Sequence, residues 1–170
     1  MGAWIRDGSS EELGGKPSRL ASNPSGTAVA LGDQNYRVRL FPLDDLGNPS
    51  RAFVQVTESG DGWTPDAAHR SRVSGLRFSG DGTLLFSSSG SLRSSLRPEG
   101  KPSEISVWRV KDSKALARRV VGEGEAFVVD FDLLGSNDEV VLLTFRAREG
   151  EPQTVELWWR DSLFERLVGR

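Results

Sequence analysis

The sequence predicts an all-β protein made of repeated antiparallel sheets. In the central stretch, residues 73–110, apolar and polar residues alternate on both sides of the turn Ser79-Gly80-Asp81-Gly82, and a third alternating run ends at Trp108. Two strands joined by a tight Asp-Gly turn and followed by a third strand are typical of a β-meander. The same succession of runs and turns occurs before and after this stretch, which predicts a repeat protein.

The first complete unit is predicted to cover residues 17–57. Apolar residues cluster or alternate in four strands of this unit, at 19–22, 28–31, 37–41 and 52–56. Asn-Pro-Ser-Gly at 23–26 and Gly-Asp-Gln-Asn at 32–35 are turn signals between them. Residues 1–16 are interpreted as the two outer strands of an incomplete unit, because Trp4 lies in a short apolar run that a Gly-Gly-Lys-Pro break soon follows.

Two further units are predicted at 73–122 and 126–170. The four strands of the first of them are predicted at 73–78, 84–86, 105–108 and 115–121. Its insertion at 90–103 is rich in Ser, Gly, Pro and Arg, which predicts a loop. In the last unit, strands are predicted at 127–131, 140–145 and 154–158, and residues 162–167 form either a fourth strand or a short helix.

Unit length and aromatic placement predict the architecture. An aromatic residue occupies the third-strand position of each unit, namely Trp4, Phe41, Trp108 and Trp158. Without the long loops the period is about 40 residues, and units of that length with four strands are typical of propeller blades. A β-sandwich is the alternative, although it does not explain the recurrent turn and aromatic. The chain is therefore predicted to be one partial propeller domain of about three and a half four-stranded blades.

Several of these positions resemble the WD-repeat β-propeller family. Ser79-Gly80-Asp81-Gly82 stands where that family has a Ser-Pro-Asp-Gly turn, and Val107-Trp108 matches its tryptophan, with Arg109 in place of the following aspartate. The residues matched to structural positions of the repeat are His69, Asp81, Gly82, Trp4, Phe41, Trp108 and Trp158. Ala68 replaces the glycine before the histidine, and Asn35 replaces an aspartate. The family's His-Ser/Thr-Asp-Trp tetrad is therefore expected to be complete in no blade.

The partial ring implies a partner. Closed propellers have four to eight blades, and an open arc leaves apolar blade faces uncovered, which soluble monomers rarely tolerate. Another protein chain or propeller segment is therefore expected to complete the ring. A simple homodimeric ring fits this strand count less well.

Composition narrows the chemistry. The chain has 22 basic and 24 acidic residues, a net charge of −2, one histidine and no cysteine. No apolar run is long enough to span a membrane, so a cytoplasmic protein is expected. With a single histidine, His69, which the repeat already places as structural, no catalytic residue, metal site or cofactor is predicted.

Loop lengths predict the binding surface. In an up-and-down blade the three long loops, 57–72, 90–103 and 148–153, all fall on one rim, and an elaborated rim on a rigid scaffold is a usual place for binding. The candidate partner-binding residues on it are Trp63, Arg70, Arg72, Arg93, Arg97 and Lys101. The family resemblance implies a non-catalytic protein-interaction scaffold or sensor within a larger protein or complex. The alternatives are an enzyme with its active site on the rim and nucleic-acid binding through the Arg-bearing loops.

Overall fold

A computed structural model of the chain describes residues 16–44, 51–53, 67–90, 103–120, 127–135, 140–146 and 154–159. The strands in these ranges are β1 Pro17–Ser22, β2 Ala28–Asp33, β3 Val38–Pro42, β4 Arg51–Phe53, β5 Val73–Phe78, β6 Leu84–Ser89, β7 Glu104–Arg109, β8 Lys114–Val120, β9 Phe127–Leu134, β10 Val140–Arg146 and β11 Thr154–Trp159. None of the described residues belongs to a helix that could span a membrane.

The strands form three antiparallel sheets in chain order. The first sheet is β1-β2-β3-β4, the second is β5-β6-β7-β8, and the described part of the third is β9-β10-β11. This confirms the predicted all-β fold with four-stranded antiparallel units. β9 is longer than predicted because it continues to Leu134, which pairs with Val140 across the hairpin. The predicted hairpin within 1–16 and the predicted element at 162–167 lie outside the described residues.

Short polar side chains close the turns between the first and second strands. Asn23 Oδ1 accepts hydrogen bonds from the backbone N–H groups of Thr27 and Ala28, both at 2.9 Å. In the next unit Asp81 Oδ1 accepts one from Ser79 Oγ at 2.6 Å and one from the Thr83 N–H at 2.9 Å. Gly82 completes that turn at a φ of 71°, a left-handed conformation that favours glycine. The two turns therefore have local causes that the sequence contains.

A β-bulge marks the same position in the innermost strand of each sheet. The register shifts between Pro17 and Arg19 in β1, between Val73 and Gly75 in β5, and opposite Thr144/Phe145 in β9. Aligning the three strands on these shifts makes Leu20, Leu76 and Phe131 equivalent residues of successive units. The bulge thus gives the repeat a register that does not depend on residue identity.

The sheets stack face to face through two apolar layers. The layer between the first and second sheets contains Ala30, Val38, Leu40, Phe53, Ala68, Val73, Leu76, Leu85 and Trp108. The layer between the second and third sheets contains Phe86, Ile105, Val107, Ala117, Val128 and Phe131. The middle sheet is therefore buried on both faces, as expected of a blade between two blades.

The innermost strands also touch one another directly. Ser18 Oγ donates to the Val73 carbonyl at 2.9 Å, and the Arg19 guanidinium donates to the Ser74 carbonyl. Between the second and third sheets, Arg77 Nε lies 3.2 Å from Asp132 Oδ1. In both cases the preceding inner strand supplies the side-chain donor and the following one the acceptor.

Gly32 is expected to be essential for this stacking. A β-carbon at this position would lie 2.5 Å from Val73 Cγ1 of the facing sheet. We therefore expect Gly32→Ala to lower the free energy of unfolding by about 1–3 kcal/mol through overpacking, as measured by urea denaturation. Ser22→Ala, at an exposed site of the neighbouring strand, should change it by less than about 0.5 kcal/mol. Equal effects of the two substitutions would contradict the close contact of the sheets.

Candidate functional site

The strand order gives the three stacked sheets two different ends, or rims. Turns 23–27 and 79–83 join first to second strands and lie at one end of the sheets, which we call the short-turn rim. The connection at 90–103, between second and third strands, and residues 67–72, which lead into β5, lie at the opposite end, the long-loop rim. Gly90 N–H donates to the Arg72 carbonyl at 3.0 Å. This bond holds the two long-loop segments side by side where they enter the sheet.

Two of the six predicted binding residues lie in the described part of the long-loop rim. Arg72 is exposed, and Arg70 is partly exposed with its Nε 3.7 Å from Glu104 Oε1. Trp63, Arg93, Arg97 and Lys101 lie outside the described residues. Both described arginines therefore lie at the long-loop rim, and the rest of that set stays a prediction.

Two arginines that the sequence analysis missed lie at the same rim. Arg118 and Arg119 are near the end of β8, the strand that runs from the short-turn rim back to the long-loop rim. Arg118 donates to Glu104, the first residue of β7, from the neighbouring strand. The available signal was the Arg-Arg pair near the end of a predicted fourth strand. The described part of this rim thus carries Arg70, Arg72, Arg118 and Arg119.

A buried hydrogen-bonded chain of side chains lies beneath these arginines. Trp108 Nε1 donates to Ser87 Oγ at 2.7 Å, and Ser87 Oγ lies 2.7 Å from His69 Nε2. All three side chains are inaccessible to solvent. The His69 ring also meets the Trp108 ring edge-on, with 6.4 Å between centroids. The segment before β5 is thereby fixed to the second and third strands of its sheet.

Glu104 lies beside the histidine end of this chain, beyond hydrogen-bond distance, at a position that the sequence did not single out. Its carboxylate is fully buried, and Oε2 lies 3.7 Å from His69 Nδ1. Burial alone raises the pKa of Glu104, but contacts with His69 and Arg118 outweigh it and hold that pKa below its ordinary value. Glu104 therefore serves as the acidic member of a histidine–serine–tryptophan group.

The acidic turn residue of the first sheet also differs from expectation. The family pattern put it at position 35, which is Asn35. In the structure the fully buried Asp33 accepts the N–H groups of Asn35 and Arg37 at 2.8 and 3.0 Å. Its other oxygen lies 3.2 Å from Arg39, whose guanidinium covers the Phe41 ring at 5.7 Å. The acidic residue therefore stands two positions before the expected one, and its carboxylate still accepts the backbone hydrogen bonds that close the turn.

The remaining residues matched to the repeat are placed as follows. Trp108 is buried and makes an edge-to-face contact with Phe53 at 5.7 Å between centroids. Phe41 is buried in β3. Trp158 lies in β11 and pairs with Val141 of β10. Trp4 lies outside the described residues.

The His69–Ser87 contact is a poor candidate for nucleophilic catalysis. Both side chains are wholly inaccessible, so no substrate reaches the serine oxygen, which already accepts a hydrogen bond from Trp108. A nucleophile needs an open approach as well as a base within reach. No group of three His, Asp or Glu side chains within the described ranges is arranged to hold a metal ion. The described geometry is that of a structural cluster.

A cleft of about 600 Å³ opens at the short-turn rim, where the three innermost strands end. The residues that line it include Ala21, Pro24, Arg77, Phe78, Asp132 and Leu133. Its two charged residues are paired with each other, with 3.2 Å between Arg77 Nε and Asp132 Oδ1. This cleft lies at the rim opposite to the predicted one.

Comparison with known proteins settles the fold and leaves the family open. No family model and no curated protein sequence matches the chain. A solved structure that does match is the β-propeller domain of Cps50 (Swd1) from Myceliophteria thermophila, with a TM-score of 0.55 and 13% sequence identity. The fold is a β-propeller. The match covers 84% of this chain and 39% of that one, so the chain spans about two fifths of the propeller structure that it resembles.

The sandwich alternative is thereby set aside. Three consecutive sheets, each packed by its face on the next, follow the radial arrangement of blades. At this level of identity the likeness concerns architecture alone.

Proposed function

We propose that the chain is a cytoplasmic, non-catalytic protein-interaction module of WD-repeat type, a scaffold or sensor that works as part of a larger protein or complex. It binds a protein partner through the long-loop rim, and another chain or propeller segment completes its ring. The protein of matching fold is named as a propeller domain, and propellers commonly present binding surfaces on a rigid frame. Against the catalytic alternative, the His69–Ser87 pair is wholly buried, and no three His, Asp or Glu side chains among the described residues are arranged to hold a metal ion.

The observation that carries this proposal is the gathering of Arg70, Arg72, Arg118 and Arg119 at one rim. Their local acid, Glu104, is fully buried and already engaged by His69 and Arg118. The exposed Arg72 therefore presents positive charge at the surface of that rim. Arginine is enriched at binding hot spots because its planar guanidinium makes bidentate contacts with carboxylates. An acidic protein surface is the matching partner.

Charge reversal at the rim tests the proposal. We expect Arg72→Glu to weaken binding of the partner by about tenfold. The partner is first identified by photocrosslinking from position 72 in cells that make the protein, and its affinity is then measured with purified proteins. Lys111→Glu is the matched control, since Lys111 is exposed in the turn at the short-turn rim of the same sheet. An equal loss in both variants, or in Lys111→Glu alone, would show that the long-loop rim is the wrong surface.

The same arginines make nucleic acid the second candidate. Binding to phosphates would release counterions and would therefore weaken steeply with salt. Retention of the wild-type chain on single- or double-stranded DNA or RNA at low salt, abolished by Arg72→Glu, would favour this candidate. No retention would exclude it and leave the protein partner.

A further inference from the structure

Two arginines of the long-loop rim converge on one buried oxygen atom. Arg118 of β8 donates to Oε1 of Glu104, and Arg70, in the segment before β5, places its Nε 3.7 Å from the same oxygen. The other oxygen, Oε2, faces His69. Because the two arginines come from separate segments of the chain, the carboxylate of Glu104 brings their guanidinium groups together.

The sheet fixes the position of this carboxylate. Glu104 begins β7, an inner strand of the second sheet, and pairs with Ser89 of β6 on one side and Val120 of β8 on the other. Arg118 pairs with Ser106, two residues further along β7, so its side chain lies on the same face of the sheet as that of Glu104. The arginine therefore reaches back toward the rim to meet a carboxylate that the backbone holds in place.

The exposure of the three side chains shows how they are layered. The side chains of Arg70 and Arg118 are 29% and 27% exposed, whereas that of Glu104 is 0% exposed. One carboxylate thus lies beneath two guanidinium groups, which leaves one positive charge in excess. Without it, two like charges this close together would repel each other. Glu104 therefore holds the arginine pair together and lets part of each side chain reach solvent.

Arginines that are already held have an advantage in binding. A free arginine side chain loses rotamer freedom when a partner immobilises it, and this loss opposes association. The buried carboxylate imposes that loss in the free protein. A fixed guanidinium group matches the planar geometry of a carboxylate. The single excess charge of the pair also matches a carboxylate, which carries one negative charge, better than a phosphate group, which carries nearly two.

We infer that Glu104 is a positioning residue of the long-loop rim, which holds Arg70 and Arg118 as an ordered pair that receives an aspartate or glutamate side chain of a protein partner. The role of Glu104 rests on the proposed function, because it takes the long-loop rim as the binding surface. It adds two receiving residues, the group that orders them and the chemical group that they recognise. Glu104 is itself inaccessible and acts only through the two arginines.

Binding of fluorescently labelled poly-L-glutamate to the purified chain, measured by anisotropy at constant salt, tests this role. If the rim acted by net charge alone, Glu104→Gln would add positive charge and strengthen binding. If Glu104 positions the arginines, the same variant frees two side chains, and we expect binding at least about fivefold weaker. Asp44→Asn is the matched control, since it removes an exposed negative charge beyond the end of β3 at the short-turn rim. It should leave binding unchanged.

Arg118→Lys tests the same role from the partly exposed side of the pair, and it decides the question if Glu104→Gln does not fold. Lysine keeps the positive charge and loses the planar fork of donors. We expect at least about fivefold weaker binding of poly-L-glutamate. Far-ultraviolet circular dichroism at the assay temperature confirms that each variant is folded.

Four results overturn the role of Glu104. They are unchanged or tighter binding in folded Glu104→Gln, unchanged binding in Arg118→Lys, stronger displacement of the polymer by phosphate than by glutarate at equal ionic strength, and no binding by the wild-type chain. Photocrosslinking from position 72 separates this role from the proposed function. A partner captured there leaves the rim proposal standing when the arginine pair fails. Weaker polymer binding in both variants supports the pair even where position 72 captures no partner.

Discussion

Replacing Glu104 with alanine is expected to lower the free energy of unfolding by about 3–5 kcal/mol, because breaking a buried ion pair strands its partners. The carboxylate is fully buried between His69 and Arg118, and Arg70 lies 3.7 Å away. Without it, Arg118 loses the buried acceptor to which it donates, and the carboxylate 3.7 Å from His69 Nδ1 is removed. Urea denaturation followed by circular dichroism at neutral pH measures the loss. A loss below about 0.5 kcal/mol, the range of ordinary surface substitutions, would contradict a structural role for Glu104.

Glu104→Gln removes the charge and keeps the shape of the side chain. The stability difference between this variant and wild type should depend on pH. The folded state holds the pKa of Glu104 below the ordinary 4.5 of the unfolded chain. The charge therefore contributes stability that is fully present above pH 4.5 and is lost as the pH falls through the folded-state pKa. Glutamine has no such proton to gain. The stability difference between wild type and Glu104→Gln should narrow below pH 4.5, and a difference that widened there would refute this assignment.

Replacing Trp108 with alanine is expected to cost about 3–5 kcal/mol, the range for large buried aromatics. The ring is wholly buried, packs edge-on against Phe53 of the first sheet and against His69, and donates to Ser87. Loss of the ring should therefore weaken both the packing of the second sheet on the first and the attachment of His69 to its own sheet. Denaturation followed by far-ultraviolet circular dichroism measures it without relying on tryptophan fluorescence.

Trp108→Phe separates packing from hydrogen bonding at this site. It keeps an aromatic ring and removes the Nε1–H donor, so a loss of about 1 kcal/mol is expected beyond any repacking. Val120→Ala, at an exposed position of β8, should stay within about 0.5 kcal/mol of wild type. A full alanine-sized loss in Trp108→Phe would mean that the hydrogen bond to Ser87, rather than packing, dominates the site.

Recognition of the fold from sequence depended on signals that are local. The turn at 79–82 was predictable because an Asp that accepts backbone N–H groups and a left-handed glycine act within four residues of one another. The apolar runs located the strands of the first two sheets, but β6 extends to Ser89, three residues beyond the predicted 84–86, because the buried serines 87–89 pair with β7. The boundary of β9 was missed because its last pair, Leu134 with Val140, depends on hairpin register rather than on composition.

The candidate site was predictable only in part. Arg70 and Arg72 could be assigned to a rim because loop length and strand parity together fix the rim. The sequence pattern of β8 does not indicate that Arg118 lies at the long-loop rim. Its contact with Glu104 became apparent only from the pairing of β7 with β8 in the structure. The tetrad of the repeat was expected to be complete in no blade, and the sequence pointed to no acidic neighbour of His69; the structure places Glu104, the first residue of β7, 3.7 Å from it.

The sequence alone therefore determined the class of fold, the repeat, the turn chemistry and the assignment of loops to two rims, because each of these follows from residues near one another in the chain. The tertiary structure decided which distant residues meet: Glu104 with His69, and Gly32 with Val73. Such contacts form between separate sheets, and their geometry depends on bulges and face-to-face stacking. The order of apolar and polar residues along one strand does not show which residue of another sheet each side chain will contact.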